Sequence, residues 1–518
     1  MASDFKIEPL AHPSGKTCKF GAVVTGLDLN QFTDETVVQL QKATWEHKLL
    51  IIKGQKDLEP KRGWELLQKL DPDSKKIDNT TFARAFYPKD GIVAAINYVE
   101  VPEAGAFVFI GKGPQDDPKY GKPGLNMGDT NFNQYYQKPL ADADFEAGKA
   151  RFHWWHVDGT YWKYDPPTFT MLRPIKFPTE GKSTQTVEWA DGSGQSMEVK
   201  PGRTAFVDVE QLYDMLSDDE KKTVDHSWVE YMYWPYEKIK GCRGAPNGLG
   251  VANEGRELPD EEVEAHEKGN KDWQKKLPLV WVNPVTGKKS FQVQHNLARR
   301  LFIRNGPNDT PKVIDDLGEV RKFLDNIQGR MIKPEHIWVG PEEEHDILLF
   351  QNYGLFHTKI DYPASWGVRT VHQGWLPGGK PPAGPNVIEG SKFKPRSDVN
   401  YIDQSDISNL TAQLGLEKRQ AGCGGRPSGV SGIAICGPDF VNMGDKGWGP
   451  ALAAMPQWNH ARLNDFERPC YPESAADANG DGPAPGVSAD ASDGVAVGRC
   501  RGDPILSMTR SLIGNDRK

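Results

Sequence analysis

A histidine and an aspartate two positions apart, together with a second histidine far along the chain, constrain the fold more than any other feature of this sequence. In an extended strand, the side chains of His156 and Asp158 project from the same face. His357 follows residues 346–356, a pattern that predicts a buried strand and a glycine-containing turn. A fold that uses these three residues together must bring distant strands to one point.

Two histidines and one carboxylate form the ligand set that holds Fe(II) on one face and leaves the other positions open. We therefore interpret His156, Asp158 and His357 as an iron site. A single histidine in an apolar segment is more often structural, and His153, three positions before His156, faces the other way in a continuous strand. The sequence has no G-x-S-x-G motif, which disfavours a serine hydrolase built on the same residues.

Three motifs carry a family resemblance: Trp155-His156-x-Asp158 followed by a Pro-Pro pair, Asn352-x-Gly354-x-x-His357, and a trailing Arg369. From about Phe20 to about Leu376 the chain resembles the taurine dioxygenase-like (TauD/TfdA) family of Fe(II)/2-oxoglutarate-dependent oxygenases.

The resemblance implies specific roles. His156, Asp158 and His357 would bind Fe(II), Arg369 would pair with the distal carboxylate of the cosubstrate 2-oxoglutarate, and Thr186 would contribute to the same cosubstrate site. A planar guanidinium suits a bidentate grip on a carboxylate. The expected reaction uses O2, decarboxylates 2-oxoglutarate and abstracts hydrogen from a substrate. A catalytically inactive metal-binding scaffold is the alternative outside enzymes, but the presence of all three ligands and of Arg369 favours the oxygenase.

Within the family the likeness is to a fungal branch that includes xanthine dioxygenases, through words such as residues 185–192 and 281–288. Gln373 and Trp375 are the candidate substrate contacts. Gln373 keeps an amide, but Trp375 stands where a purine-binding member is expected to carry asparagine. An indole cannot offer both a donor and an acceptor to a purine edge. Oxidation of xanthine and oxidation of an amino acid, including an aziridine-forming reaction, therefore both stay open.

The short strands and the split ligand set predict a mainly β fold with flanking helices (α+β) around a double-stranded β-helix, the cupin-like jelly roll. Helices are predicted at 34–48 with Thr33 as cap, at 212–222 with a capping-box pattern from Ser217 to Glu220, and near 313–328. We assign residues 1–378 to the dioxygenase domain. An insertion at about 237–290 is either a lid over the site or a surface excursion.

Residues 379–518 differ in kind, because they are rich in glycine, proline, serine, alanine and aspartate and have few periodic apolar segments. Such a composition buries too little apolar surface to offset chain entropy, so we expect this tail to be disordered or to be an artefact of translation.

The remaining composition fits a cytoplasmic enzyme acting on a small molecule. A net charge of -8 argues against a nucleic-acid partner. No run of 18 apolar residues and no secretory h-region is visible, which argues against a membrane partner. Six cysteines in 518 residues do not make a disulfide framework. The sequence leaves the oligomeric state open.

Overall fold

The computed structural model describes residues 5–74, 99–105, 107–128, 133, 136–160, 165–232, 243–252, 275–386, 417–420 and 439–442. Internal contacts divide the chain into two units, Met1–Asp403 and Gln404–Lys518. The first unit contains every predicted site residue.

Short strands dominate the first unit. In chain order they are β1 Lys6–Pro9, β2 Ala22–Thr25, β3 Leu49–Ile52, β4 Val99–Glu100, β5 Val108–Pro114, β6 Asn126–Met127, β7 Lys149–Ala150, β8 Phe169–Lys176, β9 Gln185–Glu188, β10 Ser196–Val199, β11 Thr204–Asp208, β12 Trp228–Tyr231, β13 Arg243–Gly244, β14 Val251–Ala252, β15 Lys275–Pro278, β16 Val280–Val282, β17 Lys289–Phe291, β18 Ala298–Ile303, β19 Lys312–Ile314, β20 Trp338–Gly340, β21 Ile347–Gln351, β22 Leu355–Lys359 and β23 Arg369–Trp375.

These strands form one large sheet and several small ones. The large sheet has the order β1-β2-β3-β21-β8-β23-β5-β4, with β6 pairing β5, and all its neighbours are antiparallel except β2 and β3. Two of the small sheets bear on the site, in the orders β20-β11-β22 and β10-β9-β7. Because β21 and β22 are joined by one tight turn yet belong to different sheets, the chain crosses from the large sheet to the small one just before His357.

Helices among the described residues are short and lie against the sheets. They are α1 Asp34–His47, α2 Pro60–Leu70, α3 Asp142–Glu146, α4 Val209–Asp214, α5 Asp218–Asp225 and α6 Leu317–Gln328. Thr33 caps α1 as predicted, and Ser217 and Glu220 form the predicted capping box. That box begins α5, so the single helix expected at 212–222 is two helices. Ser217 lies between them in an extended conformation and is the N-cap of α5.

The large sheet buries apolar side chains on both faces, which explains its nearly continuous apolar strands. On the outer face, Leu50, Phe169 and Leu349 pack with residues of α1 and α2 such as Leu40 and Leu66. On the inner face the alternating residues meet the small β20-β11-β22 sheet. The members of this inner cluster are Phe20, Leu49, Ile51, Leu172, Phe206, Leu348, Phe350, Leu355 and Val371.

The observed architecture is therefore mostly β with flanking helices, as predicted. Parts of the proposed insertion at 237–290 are described: β13 pairs with β14, β15 extends the β12 sheet, and β16 pairs with β17. Residues 237–242 and 253–274 lie outside the described residues, so the lid interpretation stays a prediction.

Part of the predicted tail is also described. Residues 379–386 follow the body of the first unit: Val282 N donates to Ala383 O at 2.9 Å, and Asn386 Nδ2 donates to Asp225 O at 3.0 Å. In the second unit Glu417–Gln420 pairs antiparallel with Asp439–Asn442. The expectation of disorder for the other tail residues falls outside the described part of the chain. No helix in that described part is both long and apolar enough to cross a membrane.

Candidate metal centre and cosubstrate site

His357 lies in the middle of β22 and not at a strand end. It pairs with Phe206 of β11, and its backbone also forms an antiparallel bridge with His156, with N–H to O distances of 3.0 Å in both directions. The bridge is a local consequence of the Trp-rich segment before His156 running alongside β22. Backbone hydrogen bonding therefore fixes the two histidines next to each other.

The three predicted ligands converge. One ligand atom from each of His156, Asp158 and His357 lies within 4.8 Å of the other two. Asp158 Oδ1 lies 3.9 Å from His156 Nε2 and 3.7 Å from His357 Nε2, and the two imidazole rings are 4.3 Å apart between centroids. Three ligand atoms on one face of an ion at about 2.0–2.2 Å each lie about 3 Å apart, so small side-chain rotations would bring these three atoms onto a single ion. The prediction that distant segments meet at this point agrees with the geometry.

The electrostatics of the three groups suit a divalent cation. Burial lowers the pKa of His357 well below its ordinary value, so this ring is neutral and keeps a lone pair for a metal. Burial also raises the pKa of Asp158, although His156 and the Thr170 hydroxyl oppose that shift. A buried carboxylate beside two imidazoles is costly without a counter-charge, and a bound cation supplies one.

Neighbouring groups orient the ligands. The Nδ1 of His156 lies 2.8 Å from the carbonyl oxygen of Trp154, so this nitrogen donates and the lone pair of Nε2 is available to a metal. The His357 ring packs against Phe350, with centroids 5.0 Å apart, and against Phe206, with centroids 5.8 Å apart. One histidine is thus oriented by a hydrogen bond and the other by packing.

Arg369 begins β23 and is buried. Its Nε donates to Gly202 O at 2.7 Å, and within the described residues the terminal nitrogens of this guanidinium have no hydrogen bond. Burial lowers the pKa of Arg369 to about 10, which leaves the side chain charged at neutral pH. A buried guanidinium with its fork unmatched by a protein carboxylate fits an anionic ligand.

Strand β11 links this arginine to the metal ligands. Gly202, the acceptor for Arg369, lies two residues before β11, and Phe206 within β11 is paired with His357. Four residues of extended chain span roughly 13 Å. The segment from Gly202 to Phe206 therefore contacts both the Arg369 guanidinium and the backbone of His357.

The two candidate substrate contacts share a face with Arg369. Every second residue of β23 lies on the same face of the sheet, so this face carries residues 369, 371, 373 and 375. Val371 belongs to the inner cluster, which identifies the face as the inner one. Trp375 is paired with Thr170 of β8, whose hydroxyl donates to Asp158. Gln373 and Trp375 are therefore on the side of the sheet that faces the metal ligands.

Thr186 is placed differently. It lies in β9, on the same face as Glu188, whereas Gln185 and Val187 are the buried pair on the other face. Its side chain makes no hydrogen bond within the described residues, and its backbone N–H donates to Gly148 O at 2.8 Å. No described contact joins Thr186 to the metal ligands, and its cosubstrate role stays a prediction.

Sequence reasoning missed two sets of residues around the site. Thr170 and Asn352 form a polar chain to Asp158. Behind the turn that leads to His357, Lys48 forms buried ion pairs with Glu210 at 2.6 Å and with Asp208 at 3.4 Å. Only Asn352 stood in a recognised motif, and the partners of the others are too distant along the chain to be read from local patterns.

Comparison with known protein families matches residues 6–375 to the description "Taurine catabolism dioxygenase TauD, TfdA family". The chain belongs to the TauD/TfdA family. Its members are non-haem oxygenases that use Fe(II), 2-oxoglutarate and O2, and the donor set described above fits that metal and that cosubstrate.

Individual relatives come from fungi. Alpha-ketoglutarate-dependent dioxygenase bsc9 of Alternaria brassicicola is 47% identical over 386 residues, which is 74% of this chain and 96% of the relative. Alpha-ketoglutarate-dependent dioxygenase fc-dox of Phomopsis amygdali is 47% identical over 403 residues, 77% of this chain and 98% of the relative. Alpha-ketoglutarate-dependent xanthine dioxygenase xanA of Emericella nidulans is 30% identical over 367 residues, 71% of this chain and 95% of the relative.

Proposed function

We propose that this enzyme oxidises a C–H bond of a small polar metabolite while 2-oxoglutarate is converted to succinate and CO2. The observation that carries the proposal is the convergence of His156, Asp158 and His357 within 4.8 Å, on the inner side of the sheet that also holds the buried Arg369. When bound, Fe(II) and 2-oxoglutarate supply the activation of O2. The facing sheets that bring these residues together support a jelly-roll core.

The residues of this chain have separate tasks in the proposal. His156, Asp158 and His357 would hold the metal, and three protein ligands would leave positions for the keto acid and O2. Arg369 binds the distal carboxylate, and its Nε hydrogen bond to Gly202 O fixes the guanidinium so that the terminal nitrogens are available. Fixing the cosubstrate in one orientation in advance removes an entropic cost from the reaction.

The substrate is expected to contact the C-terminal half of β23, on the same face as Arg369. Gln373 offers an amide, and Trp375 offers a large flat ring beside the Thr170 that supports Asp158. This combination favours a small substrate with a hydrogen-bonding group and a flat face. Xanthine is the second candidate, supported by the fungal xanthine dioxygenase at 30% identity, and amino acids are a third.

A binding experiment separates these candidates. In the anaerobic enzyme, Fe(II) chelated by 2-oxoglutarate would give a metal-to-ligand absorption band, and a substrate entering the site would perturb that band. We expect the band to appear with the wild-type chain and to shift with the true substrate, whereas xanthine leaves it unchanged. A shift with xanthine at low concentration would assign the purine reaction instead.

Failure of the band itself would favour an inactive scaffold. Turnover of 2-oxoglutarate in air without any substrate is the complementary measurement, since a functional centre releases some succinate even when uncoupled. We further propose a cytoplasmic location, where reducing conditions keep iron as Fe(II).

A further inference from the structure

A buried polar chain ends on one oxygen of Asp158. Thr170 Oγ1 donates to Asp158 Oδ2 at 2.7 Å, and Asn352 Nδ2 donates to Thr170 Oγ1 at 3.0 Å. Thr170 and Asn352 have no exposed surface, and Asp158 is 7% exposed. Water therefore has little access to any bond in this chain.

The direction of each hydrogen bond is fixed by a neighbour. Asn352 Nδ2 also lies 3.1 Å from Pro167 O, which can only accept, so the amide group facing this carbonyl and Thr170 must be the NH2. Thr170 thus accepts from Asn352 and has one proton, which it donates to Asp158 Oδ2. The carboxylate oxygen that remains is Oδ1, the same atom that lies 3.9 Å and 3.7 Å from the two imidazole Nε2 atoms.

We propose that Thr170 and Asn352 are positioning residues that hold Asp158 as a one-oxygen ligand. The inference rests on the proposed function, because it takes Asp158 to be a ligand of Fe(II). A carboxylate that rotated to bind through both oxygens would occupy a further position on the metal. Three protein ligand atoms are needed to leave three positions for a chelating keto acid and O2.

The same chain connects the two halves of the split ligand set. Thr170 lies in β8, twelve residues after Asp158, whereas Asn352 follows β21 in the turn that leads to His357. The backbone reinforces the link, because Asn352 N donates to Thr168 O at 3.0 Å and the Gln292 side chain donates to Asn352 O. Loss of a hydrogen bond between Asn352, Thr170 and Asp158 is therefore expected to change the metal geometry more than the fold.

The test uses substitutions that differ only in the hydroxyl. Thr170→Val keeps the shape and removes the donor, whereas Thr170→Ser keeps the donor. Thr44→Val is the matched control, since Thr44 is buried in α1 and its hydroxyl donates to Leu40 O, in the outer half of the fold. Binding of Co(II) to the metal-depleted full chain is measured by titration calorimetry, and its visible absorption reports the number of ligand atoms.

We expect Thr170→Val to weaken Co(II) binding by about 10–100-fold and to alter the Co(II) spectrum. Thr170→Ser should bind within about threefold of wild type, and Thr44→Val should be unchanged in both measurements. Asn352→Leu tests the second residue and serves where the valine variant does not fold. It should change the spectrum in the same direction, because the Thr170 hydroxyl is no longer held in one rotamer.

Two unfavourable outcomes have different meanings. Wild-type Co(II) affinity and spectrum in both Thr170→Val and Asn352→Leu, together with lost binding in His357→Ala, would overturn the positioning role and leave the metal site standing. Unchanged binding in His357→Ala would refute the metal site itself, and with it the proposed function.

Discussion

The three proposed metal ligands differ in how each is held. His156 is oriented by a hydrogen bond to Trp154 O, Asp158 by Thr170, and His357 by the rings of Phe206 and Phe350. Packing restrains a ring less specifically than a directed hydrogen bond does. Removal of each ligand is therefore informative on its own, and His357 is the one whose loss disturbs the fewest polar contacts.

His357→Ala is expected to abolish succinate formation from 2-oxoglutarate, and not only oxidation of a substrate, because the metal loses a ligand that the keto acid also requires. Half-buried His226, the residue that ends α5, provides the control: His226→Ala should retain succinate formation. Succinate is quantified by chromatography after incubation with Fe(II) and ascorbate in air. Equal succinate yields from the two variants would contradict the iron assignment.

Arg369→Lys is expected to retain metal and to weaken apparent 2-oxoglutarate affinity by roughly tenfold or more, since the charge remains but the two-pronged fork is lost. With a pKa of about 10 the native guanidinium stays protonated at pH 7–8, so its charge is not lost in the assay. Arg330→Lys, which alters the pair between half-buried Arg330 and Glu220, is the control. An unaltered KM for 2-oxoglutarate in Arg369→Lys would exclude Arg369 from the cosubstrate site.

Among the structural elements, the β21–β22 turn has the greatest influence on the site, because it places His357. Gln351 Oε1 accepts from the backbone N–H groups of Tyr353 and Gly354, and Gly354 O accepts from Val209 N at 2.9 Å. A methyl group at Gly354 would lie 3.0 Å from the Lys48 side chain and 3.3 Å from that of Glu210. The turn thus rests directly on a buried ion pair.

Lys48→Met should lower the free energy of unfolding by about 3–5 kcal/mol, because it leaves Asp208 buried without a positive partner and Glu210 with only the exposed Lys288 at 3.8 Å. Lys42→Met, on the exposed face of α1 where Lys42 pairs with Glu46, should cost about 0–1 kcal/mol. Urea unfolding followed by tryptophan fluorescence measures both. Similar midpoints for the two variants would show that the buried pair contributes no more than the surface pair.

The sequence predicted helix caps and the convergence of three residues better than it predicted their surroundings. The cap at Thr33, the capping box at Ser217 and the ligands all depend on local patterns or on residue types with distinctive chemistry. Partners of buried polar groups are different. Lys48 and Glu210 are ordinary charged residues that lie 162 positions apart in the sequence. Only the folded structure shows that they pair.

The predicted segment near 313–328 illustrates the same limit. It begins as strand β19, ending at Ile314, and becomes helix α6 only after the Asp316 side chain accepts a hydrogen bond from Glu319 N at 2.8 Å. Pairing of β19 with β18 overrides the helical pattern in its first residues. Tertiary pairing of this kind cannot be read from a single segment.

On the scale of the whole molecule, the open question is where the dioxygenase domain ends. We placed the boundary near Gly378, and contacts of residues 379–386 with the body extend beyond it. Lys380 Nζ lies 2.7 Å from Asp73 Oδ2. Two hydrogen bonds add to this ion pair, one accepted by the backbone carbonyl of Ala383 and one donated by the Asn386 side chain. The salt bridge is exposed and contributes little, whereas the other two bonds contribute about 1 kcal/mol each.

Two truncated chains measure what this segment contributes. A chain ending at Asn386 should bind Fe(II) and 2-oxoglutarate and melt within about a degree of the full chain. The residues that this truncation removes include few apolar side chains that could pack. A chain ending at Gly378 should bind both ligands as well but melt a few degrees lower, since about 2 kcal/mol of hydrogen bonding is removed. A sharp fall in melting temperature, or lost 2-oxoglutarate binding, in the chain ending at Asn386 would make the later tail a structural part of the enzyme.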